Sequence, residues 1–402
     1  GSRGLGDVYK RQHLLSYLRN SDPDNLLENY RVFNDATESN APDKTAVETL
    51  YNRLADFNDE NIDKPGSNVI VAINLGVLSN FVESDYALDF STLKAYVKNS
   101  NILTSEVNES TYIENSHFQH ISFSDYHMFS LNKGGINPGY IEALFEKIIS
   151  DDDNNIFYSS YTSDCGSCSL CSQCPIRMNF EFLAKPSVRH NIALMLVKVI
   201  LKDKEILTTR ELLNYIYDIV VAPGFDYTNF YNSSTKSSSF LKEYFKCITP
   251  SLLFDNVDIS TIMNKARKYD PLLNRSEHED DIAIEYYVSE DISDIAVSIS
   301  GDSPYSAVLC DMAYINIFNE DKAIKSKMFN VLIRIRDLMN VTEYDPMFSK
   351  FISDLYNYNT GKTPKLANLY SDIEDAVTCW CGNEDDDNIC IDDTHKSFSI
   401  YE

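Results

Sequence analysis

Tryptophan occurs once, at Trp380, and no apolar run approaches the roughly 20 residues needed to span a bilayer. A secretion signal is also missing, so the cytoplasm is the expected location. Basic residues are scarce: 35 Lys and Arg stand against 61 Asp and Glu, a formal charge of -26. An acidic surface repels phosphate backbones, which argues against tight autonomous binding of nucleic acid. Any DNA contact is expected to need a local basic patch or a basic partner subunit. Neither a nuclease motif nor a repeat of fixed period occurs. What is present suits a folded protein, because 43% of the 402 residues are apolar and 12% aromatic, enough for two or three domains. The nine cysteines include four between Cys165 and Cys174. In a reducing compartment that pattern favours metal or free thiols over disulfides.

Gly1 to Gln12, GSRGLGDVYKRQ, has no initiator Met and no apolar periodicity. It resembles translated sequencing-adapter read-through, so native sequence is expected to be missing ahead of His13. From His13 the chain alternates. HLLSYLR has the helical spacing of Leu14, Leu15 and Leu18, and Tyr30 to Phe33 form a short apolar strand that runs into Asn34 and Asp35. Thr45 to Asp56 reads as a helix with Val47, Leu50, Tyr51 and Leu54 in register. Val69 to Ile73 reads as a strand covered on both faces, stopping at Asn74, with Gly76 permitting a tight bend. This order predicts an α/β core with a parallel doubly wound sheet over residues 13–150. Such sheets bind ligands at the carboxyl ends of their strands, where Asp35 and Asn74 fall. An acid in that place can hold Mg²⁺ through water, or can simply make an Asx turn.

His117, His120 and His127 lie close in sequence, but their spacing fits no standard zinc motif, and a structural role is expected. In DCGSCSLCSQCP the residues Cys165, Cys168, Cys171 and Cys174 form C-x2-C-x2-C-x2-C. Thiolates bind zinc or iron tightly, and so short a loop limits the entropy of closure. Zinc is the first expectation and an iron-sulphur cluster the second, since the run ending in Cys-Pro is one residue short of the ferredoxin-like spacing. Unligated or redox thiols are the remaining reading. This Cys-rich insert and a helical lid occupy residues 151–232, and a mostly helical region follows over 233–402. Thr208 to Val221 opens with the capping box Thr208-x-x-Glu211. Arg210 sits in its first turn, where the helix dipole disfavours a cation. It either faces a phosphate or pairs with a neighbouring acid. Lys325 to Met339 is a basic amphipathic helix with Arg334 and Arg336, the best candidate for DNA or partner contact if it is not a core helix with solvated arginines. Cys379, Cys381 and Cys390 make a weak second metal pattern.

A strand ending in Asp, a helix, and a strand ending in Ala-x-Asn resemble the Walker B and sensor 1 elements of AAA-type P-loop ATPases. Taken together, YRVFNDATES, VIVAINLGVLSNF, FSDYHMFSL, the cysteine run ending CPIRMNFEFL, and TTRELLNYIYDIVV resemble the F subunit of DNA phosphorothioation-dependent restriction systems, the DptF family. The likeness covers about Leu14 to Arg275. It implies an AAA-like, ATP- and Mg²⁺-dependent bacterial antiviral defence ATPase, which acts with G and H partner subunits on DNA lacking phosphorothioate marks. Under that resemblance Asp35 coordinates Mg²⁺, Glu38 orients the attacking water, Asn74 positions water or the γ-phosphate, and Arg210 reports nucleotide state to the lid. The departure is that G-x-x-x-x-G-K-S/T occurs nowhere in the 402 residues. Thr360-Gly361-Lys362-Thr363 imitates only its end and reads as a surface turn.

Overall fold

The structure is a computed structural model. It describes residues 30–33, 45–64, 66, 68–103, 112–122, 127–152, 155–232, 236–256, 259–273, 277–340 and 346–380, and the backbone alone of 381, 383–385, 388–393 and 396–401. The helix expected at HLLSYLR therefore lies outside the described residues. The chain divides into two units, residues 1–126 and 127–402.

The first unit is α/β. Strands β1 (Tyr30–Phe33) and β2 (Asn68–Val71) pair in parallel, with Tyr30 opposite Asn68 and Phe33 opposite Val71. The Ala72 amide extends the ladder by donating to the Phe33 carbonyl at 2.8 Å. Parallel strands need a crossover, and the described part of it is α1 (Ala46–Arg53). Thr45 starts α1 with a complete capping box: its hydroxyl accepts from the Glu48 amide while the Glu48 carboxylate accepts from the Thr45 amide. Val47, Leu50, Tyr51 and Leu54 then face one cluster with Phe81 and Phe90, as their spacing predicts. The β2 strand ends two residues before Ile73, and its exposure alternates instead of being covered on both faces. Ile70 is 41% exposed, while Val71 and Ile73 pack on the cluster. After β2 come α2 (Leu75–Glu83) and α3 (Ser91–Asn99). The bend expected at Gly76 is instead the first turn of α2, where an added Cβ would meet Asn74 Oδ1 at 3.4 Å, an ordinary van der Waals contact.

The second unit is mostly helical. A short hairpin, β3 (Ser130–Asn132) and β4 (Gly135–Asn137), turns through Gly135 at a φ of 125°, which L side chains rarely adopt. It leads into α4 (Gly139–Ile149), α5 (Ile156–Ser167), α6 (Pro175–Leu183), α7 (Pro186–Lys202) and α8 (Thr209–Val220). The short α9 (Tyr227–Asn232) follows, then α10 (Ser238–Cys247), α11 (Thr249–Asp255), α12 (Thr261–Ala266) and α13 (Glu277–Val288). Next are α14 (Ser293–Ser300), α15 (Ser306–Leu309), α16 (Met312–Glu320) and α17 (Lys322–Met339). The chain closes with α18 (Pro346–Asn359), α19 (Ala367–Cys381) and an antiparallel sheet of β5 (Asn383–Asp385), β6 (Asn388–Asp393) and β7 (Lys396–Tyr401).

One core joins the helices on both sides of the boundary expected after residue 232, from Ile141 of α4 to Leu338 of α17. It absorbs α4, so the helical core begins before residue 151, and it includes Val188, Ile192, Met195, Leu196 and Val199 of α7, whose spacing puts them on one helical face. Asn179 sits fully buried within it. Its amide nitrogen donates to the carbonyls of Val220 (2.8 Å) and Cys247 (2.7 Å), and its oxygen accepts from the Thr249 amide and the Tyr305 hydroxyl, both at 2.8 Å. Every hydrogen-bonding position of that amide is filled, so one side chain in the middle of α6 ties together the ends of α8, α10, α11 and α15.

Candidate functional site

Among the described residues no helix is long and apolar enough to cross a membrane. The first candidate site is the carboxyl edge of the β1–β2 pair. Because Phe33 and Val71 are register partners, the chain leaves both strands on the same side, toward Asp35 after β1 and toward Asn74 after β2. Asp35 and Glu38 themselves lie outside the described residues. Asn74 has the extended backbone of an N-cap (φ -84°, ψ 155°), and its Oδ1 accepts from the Val77 amide at 2.7 Å. The carbonyl oxygen of the side chain is thereby fixed. Its amide nitrogen is exposed, with no partner among the described residues. A cap and a ligand donor are compatible in one asparagine because the two jobs use different atoms.

Arg210 belongs to the second unit. It stands in the first turn of α8 behind the predicted capping box, which is present in full: Glu211 N to Thr208 Oγ1 at 3.2 Å and Thr208 N to Glu211 Oε2 at 2.9 Å. The Thr208 amide, followed by its hydroxyl, holds the Glu211 carboxyl below the usual range. Arg210 is exposed and forms no ion pair among the described residues, so of its two alternatives the pairing with a neighbouring acid is not found there.

The four cysteines fall on consecutive turns. Cys165 is in the last turn of α5, Cys168 is its C-cap, Cys171 opens a 3-10 turn, and Cys174 is the N-cap of α6. All four are free thiols. Cys174 Sγ accepts from the Arg177 amide at 3.5 Å and lies 3.0 Å from the Tyr231 hydroxyl of α9. Burial, and next the neighbouring Cys174, push the Cys165 thiol up, while Arg177 acts in the opposite sense. Burial, and then Cys174, likewise raise Tyr231. Among the described residues no three His, Cys, Asp or Glu side chains converge to hold a metal ion, and the four thiols as they stand form no ligand set. The α5–α6 corner also has a clamp of its own: Glu181 Oε1 accepts from Tyr161 Oη (2.7 Å) and Arg177 Nε (2.8 Å), and Tyr161 stacks on Phe180 at 5.0 Å. Sequence reasoning missed Tyr231 because its approach to Cys174 crosses 57 positions, and only the aromatic density of FDYTNFY hints at a packed turn.

The basic helix is a core helix, and its arginines are not solvated. Arg334 is 4% exposed, with its guanidinium bonded to Asp255 (2.8 and 3.1 Å) and Asp270 (2.6 and 3.1 Å) over the Phe254 ring. Arg336 reaches Glu279 at 3.2 Å. Neither is presented to DNA. His117 and His120 take structural partners, Asp63 at 3.3 Å and the Tyr96 hydroxyl at 2.8 Å, and His127 falls in the other unit. The side chains of Cys381 and Cys390 lie outside the described residues. Compared with known proteins, the chain matches no family model, no curated protein and no solved structure.

Proposed function

We propose that this chain is the ATPase-type subunit of a bacterial DNA phosphorothioation-dependent restriction system, a nucleotide-driven switch or motor acting with partner subunits on unmodified DNA. The observation that carries the reading is the parallel register of β1 and β2. Phe33 and Val71 end two adjacent parallel strands on one edge, the edge at which open α/β sheets take ligands, and Asp35 and Asn74 follow them two and three positions on in the sequence. In a truncated P-loop core Asp35 holds Mg²⁺, Glu38 orients water, and the exposed amide nitrogen of Asn74 donates to the γ-phosphate or the attacking water. Arg210, which has no ion pair among the described residues, serves as the nucleotide sensor of the lid. Contact with DNA runs through partners, in keeping with the net charge of -26 and with an Arg334 already spent on two aspartates.

Phosphoryl transfer depends on positioned charge, and these 402 residues contain no Walker A lysine or phosphate-cradling loop. The chain as it stands therefore neither binds ATP tightly nor hydrolyses it. Turnover by the purified chain that Asp35→Ala removes would contradict this. Reading the genomic sequence upstream of His13 tests the larger proposal: a complete G-x-x-x-x-G-K-S/T supports it, and an intact gene without one overturns it.

A second reading, a non-catalytic scaffold that binds partner proteins through its helical unit, is favoured by the size of the helical core and by the cysteine turn between α5 and α6. In both readings we propose zinc at Cys165, Cys168, Cys171 and Cys174, on the strength of four soft donors in one short loop. The thiol side chains must reorient to bind it. Metal analysis should find one zinc per colourless chain, lost in Cys168→Ser with Cys171→Ser; visible absorbance after anaerobic purification would mean an iron-sulphur cluster instead.

A further inference from the structure

The helix α19 carries an apolar row that the described fold does not cover. Tyr370, Ile373, Val377 and Trp380 are 53%, 49%, 38% and 91% exposed. Their spacing of three, four and three residues is the a and d pattern of a helix seam, so all four share one face. A helix of 15 residues is marginal by itself and draws its stability from burying such a face, yet the largest side chain of the row is its most exposed. The neighbouring α18 contacts α19 away from this row, where Lys350 bonds Asp372, at the c position, at 2.5 Å.

The charge beside the row selects the occupant. The helix has three acids, Asp372, Glu374 and Asp375, and no Lys or Arg. Asp372 is engaged by Lys350, whereas Glu374, adjoining the seam at the e position, is exposed and without a partner among the described residues; Asp375, at f on the far face, adds to the negative charge of the helix. A second copy would bring an equally acidic helix against it. A helix with an apolar seam flanked by Lys or Arg meets both the row and its charge.

We propose that α19 is the docking face for a basic amphipathic helix of a partner protein. The seam residues supply the buried contact, with Trp380 as anchor, and Glu374 sets the sign of the partner. This surface belongs to the second unit alone, and the proposal holds whether or not the nucleotide reading does.

Trp380 is the chain's only tryptophan, so its emission reports this face alone. The full chain is titrated with a synthetic helix carrying Leu at every a and d position and Lys at every e and g position, and with its Glu-flanked counterpart. The Lys helix should move Trp380 emission to shorter wavelength, and the Glu helix should not. Ile373→Ser with Val377→Ser should raise the midpoint about tenfold, since a few central anchors dominate such interfaces. Glu374→Lys with Asp375→Lys lies on the exposed surface, so folding is spared, and this variant should reverse the preference toward the Glu helix. The proposal is overturned by equal binding of both helices, by the absence of any emission shift, or by charge-swapped chain that keeps the original preference. A shift that grows with the chain's own concentration, together with a doubled mass, would assign the face to a second copy and overturn it equally.

Discussion

The two units fold on different terms. The α/β unit gathers a small cluster around Leu50, Phe81 and Phe90, and two of its helix starts are ordered locally: Thr45 caps α1, and Asn74 caps α2. In the helical unit long-range polar side chains are buried outright. Asn179 joins four helix ends, and Arg334 brings Asp255 and Asp270 together across 79 and 64 positions. Cys247, beside that junction, has its thiol pushed up to about 12 by burial. The contrast separates two uses of polarity. A buried polar group with all partners present specifies one packing and is costly to disturb, while an exposed cap leaves spare atoms available for a ligand. Accordingly, the residues proposed for nucleotide chemistry, Asn74 and Arg210, are exposed, and the strongly networked side chains are not.

The largest test of that contrast is Asn179→Ala. It strands two donors, the Thr249 amide and the Tyr305 hydroxyl, and two carbonyls, those of Val220 and Cys247. Each unsatisfied group costs about 1–3 kcal/mol, less where the site relaxes, so a loss of about 4 kcal/mol is expected in urea unfolding. Hydrogen exchange should quicken in α6, α8 and α11 and stay unchanged in α1. Equal quickening in both units would erase the distinction drawn between them.

The local features were legible in the sequence. Thr45 to Glu48 and Thr208 to Glu211 follow the capping-box rule, and the stripes of α1 and α7 follow helical periodicity; all of these depend on neighbours within one or two turns. The strand at Val69 was read as doubly covered because a run of branched residues cannot report how many strands or helices flank it, and Ile70 is in fact exposed. Arg334 was invisible as a core residue for a related reason. Its charge reads as surface until two aspartates from distant helices neutralise it, and nothing near Arg334 in sequence announces them. The edge of the candidate site was legible through Asn74, whose place after a parallel strand follows from the α/β order. The cysteine run announced its chemistry but not its geometry, because thiol spacing constrains a loop without fixing where its side chains point.

The smaller test lies in the α/β unit, at a cap that sequence reading missed. Asp59 reaches across 32 positions to the start of α3, where its carboxylate accepts from the Ser91 amide (2.6 Å), the Thr92 amide (2.9 Å) and the Thr92 hydroxyl (2.7 Å). Hydrogen bonding by Thr92, and then Ser91, holds its carboxyl far below the usual carboxylate range. A folded-state value below the unfolded one means that the stabilisation is complete above the unfolded value of about 4 and is lost as pH falls below it toward the folded value. The group is partly exposed, so solvent screening limits its worth, and a cap of this kind contributes about 1 kcal/mol. Asp59→Ala should lower the stability of the α/β unit by that amount at pH 7 and by progressively less below about pH 4, so that the two unfolding curves converge in acid. Measured as unfolding midpoint against pH, parallel curves for the two proteins would show that Asp59 holds α3 by shape alone. The start of α3 would then be held without a charge-dependent cap, as the Asn179 junction of the helical unit is, where no carboxylate takes part.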